Sequence, residues 1–150
     1  MKILMVCLGN ICRSPMAEGI MRDLIRKNNL NWEVDSCGTG SWHIGEAPDK
    51  RAQRTAQSFG VDITSLRARQ FSIADFNEFD RIYVMDTSNH QNVLKMAPDE
   101  QSRQKVDLLL NSCMPGENCE VADPWFDESL FIPVYKQIEQ ACQKIIESNR

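Results

Sequence analysis

A chain of 150 residues, 42% hydrophobic and 25% charged, is long enough for a single domain, residues 1–150, that buries a sizeable core without disulfide or metal staples. Its net charge of −4 argues against a nucleic-acid or anionic-membrane partner while leaving room for a locally positive pocket. The apolar stretch before Gly9 is too short for a signal-peptide core, and no run reaches the ~20 apolar residues of a membrane helix. The expected location is therefore cytoplasmic, with the six cysteines reduced.

The first expected element is a buried strand over Ile3 to Val6. The turn Cys7-Leu8-Gly9-Asn10-Ile11-Cys12-Arg13-Ser14 follows it, and then a helix from Pro15 to Lys27. Ser14 reads as the N-cap and Pro15 as the first helical residue, with Ala17, Ile20, Met21, Leu24 and Ile25 as the buried stripe. A loop that opens a helix N-terminus presents unpaired N–H groups and the positive end of the helix dipole, so it suits a phosphate-like oxyanion. Gly9 and Asn10 are residue types that accept the positive φ such a cradle needs. The Arg13 fork can hold two anion oxygens at once.

Helix N-termini and neighbouring guanidinium groups favour the thiolate form of cysteine, which makes Cys7 a candidate nucleophile with the Ser14 hydroxyl as a hydrogen-bond donor. Taken alone, a cysteine at the end of a buried strand is more often a small core hydrophobe, but that reading leaves Arg13 unexplained. Cys7 and Cys12 also have the spacing of half a zinc site. No second closely spaced pair follows, and Cys37 with His43 completes it poorly, so no metal is expected. The Lys-Ser/Thr ending of a Walker loop is missing.

Asn28-Asn29 ends the first helix, and Trp32 to Ser36 alternates as a second strand. A strand–helix–strand unit of this length implies a parallel pair with a right-handed crossover, hence an α/β fold with a doubly wound four-stranded parallel sheet flanked by helices. Gly38 to Pro48 is a long glycine-punctuated loop of the functional kind. In it Trp42 either packs over the core edge or walls a slot for a flat ring, and His43, with no identifiable partner, reads as a loop residue. A helix is expected over Asp49 to Phe59, stopped by Gly60. Val61 to Gln70 then reads as a polar connection whose charges, Asp62, Arg67 and Arg69, are solvated.

Ser72 to Phe79 suggests a short helix, and Arg81 to Met85 a third buried strand. Asp86, at its carboxyl end, either caps the helix that begins near Thr87 or contacts the first loop from behind. His90 reads as a surface residue. Val106 to Leu110 is a fourth strand, and Asn111 to Glu120 a loop whose Cys113 and Cys119 read as ordinary thiols. Asp123-Pro124-Trp125-Phe126 follows; an Asp before Pro is usually a turn former. Beside Cys7 and Arg13, however, Asp123 is a candidate general acid for a departing alkoxide or phenoxide. The last helix is expected over Glu128 to Asn149, with its first turn broken by Pro133.

The stretch CLGNICRSPMAEG near the N-terminus, with Trp42, Arg69-Gln70, Met85-Asp86 and Asp123-Pro124-Trp125, closely resembles the low-molecular-weight protein tyrosine phosphatase family over essentially the whole chain. The resemblance implies hydrolysis of phosphotyrosine in proteins through a phosphocysteine on Cys7, without a cofactor. Arg13 and the loop residues Leu8, Gly9, Asn10, Ile11, Cys12 and Ser14 then hold the phosphate, Asp123 acts as acid and then base, and Trp42 and Trp125 wall the substrate ring. Cys12 is implied as the redox partner that traps an oxidised Cys7 as a disulfide. The implied partners are tyrosine-phosphorylated proteins, in a bacterium including a tyrosine kinase of exopolysaccharide synthesis, and free phosphate or other oxyanions.

Two departures from the family pattern stand out. A histidine found in many relatives near positions 65 and 66 is replaced by Ser65 and Leu66, and the adjacent tyrosines that some carry after Asp-Pro are replaced by Trp125 and Phe126. Thioredoxin-coupled arsenate reductases share this type of loop but need further cysteines after the third strand, and Thr87 to Met96 holds none. A non-catalytic phosphopeptide-binding module is the remaining alternative, and would bind without releasing phosphate.

Overall fold

The computed structural model describes residues 1–150. The apolar run after Met1 becomes strand β1 (Lys2–Cys7), which pairs in parallel with β2 (Glu33–Gly38) on one side and β3 (Arg81–Val84) on the other. Strand β4 (Val106–Leu108) adds to β3, giving a four-stranded parallel sheet in the order β2-β1-β3-β4. A central parallel strand is covered on both faces, which explains why β1 is apolar and buried from Ile3 to Cys7. Its side chains alternate between two cores, with Ile3, Met5 and Cys7 in the larger and Leu4 and Val6 in the smaller. Register therefore places Cys7 at the carboxyl end of β1, on the face of the larger core.

That core is built with helices α1 (Arg13–Lys27), α2 (Lys50–Ser58) and α6 (Phe131–Asn149). Helices α3 (Asp75–Glu78) and α4 (Thr87–Met96) supply Phe76 and Val93 to the smaller core, and α5 (Glu100–Gln104) precedes β4. The chain leaves β1 on one side to form β2 and returns past it to form β3. The carboxyl ends of β1 and β3 thus flank the crevice where open α/β sheets collect ligands.

Several boundaries differ from expectation for identifiable reasons. Helix α1 begins at Arg13, so Cys12 rather than Ser14 is its N-cap and Pro15 is the third helical residue. The first intrahelical bond runs from Met16 N–H to the Cys12 carbonyl, so a proline at the third position costs no hydrogen bond. The same logic admits Pro133 as the third residue of α6, which begins at Phe131 after a 3₁₀ turn at Glu128–Leu130 and is not broken. Strand β2 runs on to Cys37 and Gly38 because they pair with Val6 and Cys7. Strand β4 ends at Leu108 and continues as a 3₁₀ turn, Leu109–Ser112. The unexpected α5 is capped by Asp99, whose side chain accepts from Ser102 N–H. No helix is long and apolar enough to cross a membrane.

Candidate active site

The turn from Cys7 to Ser14 folds around the Cys7 sulfur. Asn10 takes a left-handed conformation (φ 57°), and this curls its N–H back to donate to Cys7 Sγ at 3.3 Å. The N–H groups of Gly9, Ile11, Cys12, Arg13 and Ser14 find no acceptor within the protein, and α1 has neither a side-chain cap nor an acidic residue in its first turn. The concavity is therefore a set of free donors at a helix N-terminus, the arrangement that binds oxyanions. Of the two residues expected to supply positive φ, only Asn10 does so. At Gly9 a Cβ would lie 3.1 Å from the His43 ring, a close contact that a small shift of that side chain would relieve.

Behind the loop, Ser14 Oγ lies 3.0 Å from Cys7 Sγ and accepts from Asn10 Nδ2 at 2.7 Å, which leaves its own hydrogen to donate to the sulfur or to the Cys37 carbonyl. Asn10 Nδ2 also donates to Ser36 Oγ (3.0 Å), and Ser36 Oγ donates to the buried Glu18 carboxylate (2.7 Å). Burial pushes the Glu18 pKa up, while Ser36 and Arg22 partly offset the shift. The Asn10 side-chain oxygen accepts from Arg69 N–H, and the Arg69 guanidinium bonds Asp35 and Asp75. The polar connection read as solvated is thus, at Arg69, a brace for the loop.

Arg13 is 3% exposed. It donates to Asp86 Oδ2 at 2.8 Å and to the Val121 carbonyl at 3.0 Å, with Asp123 Oδ2 at 3.7 Å. Burial works against its charge, but Cys7, Asp86 and Asp123 outweigh that and raise its pKa. Asp86 satisfies both readings at once, since its other oxygen caps α4 by accepting from Asn89 N–H at 2.8 Å. Asp123 likewise forms a turn, accepting from Trp125 N–H at 3.1 Å, while lining the cleft above the loop.

Cys7, Leu8, Ile11, Cys12, Arg13, Trp42, Asp123 and Trp125 all line one cleft of about 180 Å³. A cavity of about 150 Å³ accommodates benzene, so the cleft has room for one aromatic ring at its mouth. Trp42 is 69% exposed and lies across Gly40, where a Cβ would fall 2.0 Å from its ring. It lines the cleft and packs against neither of the two cores. Burial, Asp49, Cys7 and Asp123 push the Cys12 thiol far above its usual range, with Arg51 offsetting them slightly.

Three contributors escaped sequence reading. His43 lines the cleft and pairs with Glu46 at 3.0 Å, a contact whose i,i+3 spacing was the available signal. Gly38 lets β2 approach the loop, because a Cβ there would lie 2.7 Å from the Leu8 carbonyl oxygen and 3.1 Å from Asn10 N. Arg51 contacts the Asp123 turn across a gap of 74 residues, for which the sequence carries no signal.

Comparison with known proteins agrees with this geometry. The family model described as "Low molecular weight phosphotyrosine protein phosphatase" matches residues 2–149. A protein of that name from Schizosaccharomyces pombe is 40% identical, covering 98% of this chain and 96% of its own. The crystal structure of a protein tyrosine phosphatase from Entamoeba histolytica, with Hepes in its active site, superposes with a TM-score of 0.91 at 38% identity, over 99% of this chain and 96% of that one. A Drosophila structure described as an arginine phosphatase, DARP, gives 0.92 at 36% identity, over 100% of this chain and 98% of that one. With its sheet order, its cysteine loop and these matches in agreement, the chain belongs to the low molecular weight phosphotyrosine protein phosphatase family.

Proposed function

We propose that the chain hydrolyses phosphotyrosine in proteins through a covalent phosphocysteine on Cys7. The observation that carries this reading is the convergence of Cys7, Arg13 and Asp123 on one cleft with aromatic walls. The free loop N–H groups and the Arg13 fork hold the non-bridging phosphate oxygens, and Cys7 Sγ attacks phosphorus in line with the tyrosine oxygen. The P–O bond breaks as the S–P bond forms, and Asp123 gives its proton to the leaving phenolate. Asp123 then takes a proton from water, which attacks phosphorus, breaks the S–P bond and releases inorganic phosphate. The charge of such transition states is spread over the phosphoryl oxygens, so positioning and electrostatics carry the catalysis.

Trp42 and Trp125 wall the tyrosine ring, with Leu8 and Ile11 at the entrance, and set a depth that phosphoserine does not fill. The expected partners are tyrosine-phosphorylated proteins, and the expected location cytoplasmic. A peroxide is proposed to oxidise Cys7 to the sulfenic acid, which then condenses with the Cys12 thiol to a Cys7–Cys12 disulfide with loss of water. A buried, protonated Cys12 does not compete as a nucleophile before that event.

The test is phosphate release from a phosphotyrosine peptide beside phosphoserine and phosphoarginine peptides, the last because of the name carried by the Drosophila relative. Selective release from phosphotyrosine is expected, lowered about 10²–10⁴-fold by Asp123→Ala, the usual contribution of a positioned general acid. Cys7→Ser should abolish turnover while still binding vanadate. Turnover by Cys7→Ser, or preference for phosphoarginine, overturns the reading.

A further inference from the structure

Helix α2 begins with a pair of residues that join the two halves of the site. Asp49 N–H donates to the Ile11 carbonyl at 2.8 Å, tying the start of α2 to the cysteine loop. The Asp49 carboxylate accepts from Arg51 N–H at 2.8 Å and from the Arg51 guanidinium at 3.1 Å on each oxygen. The remaining guanidinium nitrogen, Nη1, donates to the Trp125 carbonyl at 3.1 Å. Its central carbon lies 5.3 Å from the Trp125 ring centroid and 4.9 Å from that of Phe131. Trp125 N–H in turn donates to Asp123 Oδ1. A continuous path of hydrogen bonds therefore runs from Ile11 through Asp49, Arg51 and Trp125 to Asp123.

We propose that Arg51 is a positioning residue that holds the Asp123–Phe126 turn over the Cys7 loop and so fixes where Asp123 delivers its proton. Of the turn's own side chains only Pro124 is buried, while Trp125 is 41% and Phe126 88% exposed, so the guanidinium of Arg51 is what ties the exposed part of the turn to the rest of the site. Only a planar fork engages a carboxylate, a carbonyl and two ring faces at once, which a lysine ammonium cannot do. The competing description of Arg51 is a surface ion pair with Asp49, a contact of small worth that has no connection to chemistry.

The two differ in how the rate depends on the leaving group. An acid out of position harms the expulsion of a poor leaving group and hardly touches a good one. The experiment compares kcat/KM, which reports the first phosphoryl transfer, for phenyl phosphate and 2,4-dinitrophenyl phosphate in the wild type, Arg51→Gln and Arg51→Lys. Arg51→Gln is expected to lose about ten- to hundredfold on phenyl phosphate and less than about twofold on the dinitrophenyl ester, part of the span available to a general acid. In an Asp123→Asn background the Arg51→Gln effect should vanish.

Arg51→Lys keeps a cation near the rings without the fork. It should show the same contrast between esters, and it serves alone if Arg51→Gln does not fold. A uniform loss on both esters, a Lys variant indistinguishable from wild type, or an effect undiminished without Asp123 overturns the proposal. It rests on the phosphatase reading, and the failures are distinct. A wild type that cleaves neither ester defeats that reading, whereas an active, Asp123-dependent wild type with unchanged leaving-group dependence in both variants defeats only the role of Arg51.

Discussion

Asp86 serves two elements with two oxygens, and its substitutions separate them. Asp86→Asn keeps an acceptor for Asn89 N–H but withdraws the carboxylate from buried Arg13. Urea unfolding is expected to show a loss near the lower end of the ~3–5 kcal/mol typical of breaking a buried pair, since the Val121 carbonyl still accepts from Arg13. Asp86→Ala should lose about 1 kcal/mol more, the worth of an N-cap. Equal stability of the two variants would show that the cap contributes nothing. At this scale the sequence was only half legible. An Asp ahead of a helix signals a cap, while its ion pair with Arg13, 73 residues away, exists only in the fold.

The cysteine loop works as an element because its neighbours stay out of its way. Helix α1 lacks a side-chain cap, so no protein group competes for the donors at its N-terminus. Strand β2 ends in Gly38, against which the Leu8 carbonyl and Asn10 N pack closely. Gly38→Ala must therefore displace the loop backbone, at about 1–3 kcal/mol for overpacking, and should sharply reduce phosphate release. Gly60→Ala is the control: Gly60 has φ 81° and open space around it, so only backbone strain of about 1–2 kcal/mol is expected, with activity kept. Equal activity of the two variants, measured beside their unfolding midpoints, would show that Gly38 does not shape the loop.

For the molecule as a whole, the sheet order brings the ends of β1 and β3 to one crevice and buries Glu18 behind it. Because burial raises the Glu18 pKa, the folded protein keeps a proton that the unfolded chain releases above the ordinary value of 4.5. Its contribution to stability is thus complete below that value and declines as pH rises through the folded pKa. Asp23 and Asp49, held below the usual range by their basic and backbone partners despite burial, act in the opposite sense at lower pH. The difference in stability between the wild type and Glu18→Gln isolates the first effect. It should shift against the wild type from pH 4.5 upward, and a difference independent of pH would contradict the burial of this carboxylate in solution.

Local chemistry was readable from the sequence alone. The uninterrupted apolar run of β1, the stripe of α1, the Cys7 to Ser14 turn and the Asp-Pro turn each depend on neighbours within a few residues, where period and residue type suffice. They foretold the parallel sheet and that the Cys7 turn and the Asp-Pro turn carry site residues, whereas His43 in the cleft was not foretold. Exact helix starts were not readable, because Pro15 and Pro133 fit the third helical position as well as the first. The tertiary structure alone decided which distant groups meet: Arg13 with Asp86, Arg69 with Asn10, Glu18 with Ser36, and Arg51 with Trp125. Those contacts are set by strand order and helix packing, and no local pattern encodes them, since the same charged residues would satisfy any sequence rule equally well if left in water.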